Sequence, residues 1–84
     1  MQTNDVNEKV RRTLSALLNV PLERLGDESS REALEEWDSL KHMHLVLALE
    51  EEFGIEFGDD EVSRLATVAG LTQAISEKLV ARTR

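Results

Sequence analysis

Apolar side chains in this chain recur every three or four residues, and the period-two alternation of β-branched residues that marks strands is absent. An all-helical fold follows. Val6, Val10, Leu14, Leu17 and Leu18 line one face of a first helix expected from Asp5 to Leu18, with Asn4 as its N-cap. Pro21 stops the chain from continuing as helix. A long loop from Val20 to Asp38 follows, with Leu22 and Leu25 tucked onto the core. Ser29-x-x-Glu32 has the capping-box pattern, which predicts a short helical turn there. The second helix should start at Ser39 or Leu40 and end near Phe53, with Gly54 as the residue that turns the chain out of it. A short third helix fits Asp59 to Leu65, acids at its positive end. Thr67 can cap a fourth helix to Ala81, whose Val68, Leu71, Ile75 and Leu79 share a face and whose C-terminal dipole suits Arg82 and Arg84. Eighty-four residues supply one core, so residues 1–84 are read as a single domain.

The second helix carries more apolar surface than one core needs. Leu45, Val46, Leu49 and Phe53 cluster on one side. Leu40, Met43 and Leu47 cluster on the other, at i, i+3 and i+7, flanked by His44, Glu50 and Glu51. Either the loop and third helix cover this second stripe, or it is an interaction face with an apolar centre and a charged rim. Spacing alone leaves both open.

Charge narrows the functional classes. From Asp27 to Glu61 there are 13 acids and two bases, Arg31 and Lys41; the rest of the chain has 4 acids and 8 bases, and the total is −7. A phosphate backbone needs a basic stripe, so nucleic-acid binding is not expected. An acidic middle steers the chain toward partners with basic patches, although charge also simply keeps a small domain soluble. With no cysteine there is neither a disulfide nor a thiolate ligand. His42 and His44 are two apart and point to different sides, so no metal site is expected: His42 faces the core and His44 the surface. No apolar run reaches the ~18–20 residues of a membrane span. The first residues lack the basic-then-apolar pattern of a secretion signal, so a cytoplasmic protein is expected; a monomer without membrane contact is expected as well.

Ser39 follows Asp38 where the second helix begins, and either residue could cap it. As a hydrolytic nucleophile Ser39 is poor: His42 lies at i+3, but there is no glycine-rich elbow. A hydroxyl at a helix N-terminus faces unpaired N–H groups and the positive end of the dipole, which suits a phosphate ester.

Asp38-Ser39-Leu40, then Leu45, Val46, Ala48, Leu49, Glu50-Glu51-Glu52-Phe53, Asp59 to Glu61 and Thr67-Val68 resemble the acyl carrier proteins. The resemblance covers nearly the whole chain. It implies a four-helix bundle of three longer helices and one short third helix, with a long loop between the first two. It implies that a phosphopantetheinyl transferase attaches phosphopantetheine from coenzyme A to Ser39, and that the arm's thiol holds acyl groups as thioesters. Such a carrier is not an enzyme; acyl-loading and acyl-processing enzymes with basic patches supply the chemistry. By the same resemblance the partner-facing residues are Asp38, Leu40, Lys41, Met43, His44, Leu47, Glu50, Glu51, Asp59, Asp60 and Glu61. Lys41 and His44 stand where primary-metabolism carriers commonly place acids, and Trp37 replaces a small residue, which resembles discrete carriers of specialised pathways. An aminoacyl or peptidyl carrier is the near alternative. An unmodified acidic adaptor that binds one protein through Leu40, Met43 and Leu47 is the alternative from another class.

Overall fold

A computed structural model describes residues 3–26 and 28–82. The helices are α1 (Thr3–Leu18), α2 (Ser39–Phe53), α3 (Asp59–Arg64) and α4 (Val68–Arg82), with a 3-10 turn at Leu22–Arg24. Among the described residues there is no strand, only an isolated antiparallel bridge between Ser30 and Thr67. The long α1 packs against both α4 and α2. The four-helix arrangement with a long first loop is the one expected.

The stripes that periodicity assigns to the core are in it. Val6, Val10, Leu14 and Leu18 of α1, Leu45, Val46, Leu49 and Phe53 of α2, and Val68, Leu71 and Ile75 of α4 are all buried. Leu17 and Leu79 are partly buried against that cluster. The loops add to this core. Val20, Leu25, Leu34, Trp37, Ile55 and Phe57 are buried too, and Trp37 is the bulkiest of the fully buried side chains.

Several boundaries differ from expectation for local reasons. α1 begins at Thr3, so Asn4 lies within the helix instead of preceding it. It ends at Leu18, where Asn19 takes a left-handed conformation with φ of 57°, one that Asn tolerates better than most residues. The turn predicted from Ser29 is capped by its neighbour. Ser30 Oγ accepts from the Ala33 N–H at 3.2 Å and Ser30 O accepts from the Leu34 N–H at 3.0 Å. Ser29 is buried, and its Oγ accepts from the Gly26 N–H at 2.9 Å. Leu22 starts the 3-10 turn and is only half-buried, whereas Leu25 is in the core. α3 stops at Arg64, one residue before Leu65. Thr67 does cap α4: its Oγ1 accepts from the Gly70 N–H at 3.0 Å. Gly54 leaves α2 with φ of 64°, the left-handed exit expected of it. Arg84 lies outside the described residues, and so does Asp27 of the acidic stretch.

Two sets of bonds hold the long loop in place. The Arg31 N–H donates to Ala66 O and the Val68 N–H donates to Ser29 O, each at 3.0 Å, which stitches the loop to the α3–α4 connection. The second set is buried. The Trp37 indole N–H donates to His42 Nδ1 at 3.0 Å, and His42 Nε2 lies 2.8 Å from Val62 O. An indole only donates and a carbonyl only accepts, so the one tautomer that satisfies both is neutral imidazole protonated at Nε2. His42 therefore bridges the loop end, α2 and α3. Trp37→Phe removes the donor, leaves Nδ1 unpaired in a buried site and opens a small void. A loss of about 2 kcal/mol or more is expected, read as a lowered denaturation midpoint in urea.

Glu61 locks α3. Its Oε1 accepts from the Gly58 N–H at 2.9 Å and lies 2.8 Å from Lys78 Nζ. That ammonium also sits 5.5 Å from the centre of the Phe57 ring, so α4 is tied to the α2–α3 connection as well. The Gly58 N–H first, and Lys78 second, hold the Glu61 carboxyl below its ordinary value of 4.5. The folded chain thus favours ionised Glu61 more than the unfolded chain does. Its contribution is present above the unfolded value and is lost as pH falls through the lower folded one. Glu61→Gln should flatten the fall in thermal midpoint below about pH 4.5 relative to wild type, a difference that melts between about pH 3 and pH 6 would register.

Candidate functional site

The start of α2 separates two roles that the sequence left with either of two residues. Asp38 is the cap: its Oδ1 accepts from the Lys41 N–H at 2.9 Å, from extended backbone (φ −91°, ψ −175°). Ser39 is then the first helical residue, exposed, with its hydroxyl not engaged in capping. Arg31 Nη2 donates to Ser39 Oγ at 3.0 Å. His42 cannot serve as a base for Ser39, because both ring nitrogens are committed to Trp37 and Val62. The hydroxyl is therefore accessible and cation-flanked, at the positive end of a 15-residue helix. These features suit an attached phosphate ester and supply nothing for hydrolysis.

The second stripe of α2 is on the surface. Leu40 is 64 % exposed, Met43 48 % and Leu47 58 %. Neither the loop nor α3 covers them, so of the two arrangements open to the sequence the exposed one is realised. His44 and Glu51 are exposed and Lys41 is half-buried. Asp59 and Asp60 are exposed at the start of α3.

Two of the acids predicted for the rim have internal partners. Glu50 Oε2 accepts from the Phe57 N–H at 2.8 Å, and Glu61 is engaged with Gly58 and Lys78. Arg31 is the site residue that sequence reasoning passed over. It lies eight positions before Ser39 in an irregular loop, and no periodicity connects the two.

A phosphopantetheine ester fits this donor set. The group is anionic and bonded through a serine oxygen, and Ser39 offers an accessible hydroxyl beside a guanidinium and a helix N-terminus. Fold and site together give a small helical bundle with an exposed, cation-flanked hydroxyl at the start of its second helix. The sequence profile of a family described as "Phosphopantetheine attachment site" matches residues 8–75. The acyl carrier protein of Thermosynechococcus vestitus is 36% identical over 81 residues, 96% of this chain and 100% of that protein. The acyl carrier protein of Buchnera aphidicola is 33% identical over 75 residues, 89% of this chain and 95% of that protein. A solved acyl carrier protein from Enterococcus faecalis superposes with a TM-score of 0.77 at 27% identity, covering 93% of this chain and 99% of that one. The chain belongs to the acyl carrier proteins, whose phosphopantetheine is covalently attached. No described helix is long and apolar enough to cross a membrane.

Proposed function

We propose that Ser39 is the residue that carries phosphopantetheine, and that this chain, as one carrier domain, holds acyl intermediates without converting them itself. The observation that carries this reading is the division of labour at the start of α2: Asp38 makes the cap, and the Ser39 hydroxyl is left exposed beside Arg31. When bound, the group supplies the thiol that this cysteine-free chain lacks. The chain's own contribution is to hold the attachment oxygen on a rigid helix end and to present a docking face next to it. Incubation with coenzyme A, magnesium and a broad-specificity phosphopantetheinyl transferase tests the reading. Intact mass should rise by one phosphopantetheine; an unchanged mass contradicts it.

The docking face in this reading is Leu40, Met43 and Leu47, with Lys41, His44, Glu51, Asp59 and Asp60 around it. Its support is exposure: three large apolar side chains along about two turns of helix, rimmed by charge. Partners are the transferase and the acyl-loading and acyl-processing enzymes that offer basic patches. Weak, screened rim charges suit brief visits to several enzymes in turn. A cytoplasmic monomer in a specialised pathway completes the proposal. Lys41 and His44 make the start of α2 less acidic than in primary-metabolism carriers, and this supports the pathway assignment. Lys41→Glu or His44→Glu should then raise turnover by fatty-acid ketosynthases relative to other ketosynthases. Unchanged relative rates across such a panel would remove the pathway assignment.

A further inference from the structure

Among the described residues Arg31 has no carboxylate partner, as is also true of Arg11 and Arg64, while Arg12, Arg24 and Lys78 each pair with one. This is in a stretch where acids outnumber bases 13 to two. Its guanidinium instead donates to a neutral hydroxyl, Ser39 Oγ, at 3.0 Å. The loop that presents it is held by backbone, with the Arg31 N–H on Ala66 O and the Ser30–Thr67 bridge beside it. Its side chain borders an open hollow of about 290 Å³ shared with Ser30, Glu32, Trp37, Ala66 and Thr67, so it has room to change rotamer.

We propose that Arg31 is the positioning residue for the phosphodiester on Ser39, taking a phosphoryl oxygen once the group is attached. This rests on Ser39 being the attachment residue. The driving force is the change in acceptor. In the bare protein Arg31 bonds a neutral hydroxyl; in the modified protein that oxygen is an ester oxygen, and the single negative charge is shared by the two non-bridging oxygens on the phosphorus bonded to it. A guanidinium fork matches that pair and gains a charge-assisted bond in place of a neutral one. Phosphopantetheinylation therefore stabilises this chain, and Arg31 orients the first bonds of the arm where it leaves α2.

The test compares apo and holo forms of wild type, Arg31→Ala and Arg31→Lys, each verified by intact mass. Both variants keep the backbone bond to Ala66. In low salt, wild-type holo protein should melt above apo protein, and about 1 M salt should shrink the difference. Arg31→Ala should lower the holo-minus-apo difference by about 2–5 °C, with Arg31→Lys in between. The Arg31 Nε–H resonance should shift between apo and holo wild type. An equal holo-minus-apo difference in Arg31→Ala, or an Arg31 resonance that does not move, overturns the inference while leaving attachment at Ser39 intact. A wild-type protein that accepts no mass, or an added mass that survives Ser39→Ala, overturns the attachment reading, and the inference falls with it.

Discussion

Ser39→Ala is expected to abolish phosphopantetheine incorporation completely while leaving the fold unchanged. The two halves of this prediction have separate causes. In the proposed reading incorporation needs the Ser39 oxygen, and alanine has none. The fold does not need it, because the capping bond to the Lys41 N–H comes from Asp38. Ser39 is also exposed, and alanine is the better helix former. Among the described residues the one side-chain bond lost is that from half-exposed Arg31, so stability should stay within about 0.5 kcal/mol of wild type. Intact mass after transferase treatment and a urea melt check the two halves independently. Asp38→Ala, by contrast, removes the cap and should cost about 1 kcal/mol of stability. A variant lacking Ser39 that loses several kcal/mol would mean the residue is structural.

The second large effect is expected on the exposed stripe. Leu40→Ala and Met43→Ala should each weaken productive encounter with a partner enzyme by about 10- to 100-fold, with little change in stability. Burying a Leu or Met side chain at an interface gains about 1.5–3 kcal/mol relative to leaving it in water, and alanine forfeits most of that. In the free protein these side chains are already about half or more exposed, so their removal opens no cavity. The readout is kcat/KM of an acyl-processing enzyme with the holo protein as varied substrate, beside a melt of each variant. This result also separates the carrier from an unmodified adaptor. An adaptor would lose binding in these variants and be indifferent to Ser39→Ala; a carrier loses function in both.

The helices and their core faces were legible because a 3.6-residue period and an apolar stripe are local properties. Val6 to Leu18, Leu45 to Phe53 and Val68 to Ile75 all went where spacing put them. The exit at Gly54 and the cap at Thr67 were legible for the same reason, since each depends on one residue type at one place. Residues that act through loops were not. Trp37, Leu34, Ile55 and Phe57 complete the core from segments without a period. Trp37 could be read as a departure from a small residue, but not as the donor that fixes His42. Whether Leu40, Met43 and Leu47 were covered depended on where the loop and α3 lay, which helical spacing does not report. Glu50 and Glu61 look like rim charges in sequence, yet backbone N–H groups of the α2–α3 connection claim their carboxylates. The candidate site divided the same way: Ser39 stood out as a candidate from the resemblance and its place at a helix start, while Arg31 required the Ser30–Thr67 bridge to bring it alongside.

The decisive measurement is made on protein purified from the cell that makes it, digested and mapped by mass spectrometry with fragmentation that ejects the pantetheine. Phosphopantetheine is expected on the peptide containing Asp38-Ser39-Leu40 and on no other. Working protein with a bare Ser39, or with the group on a different serine, would contradict this expectation.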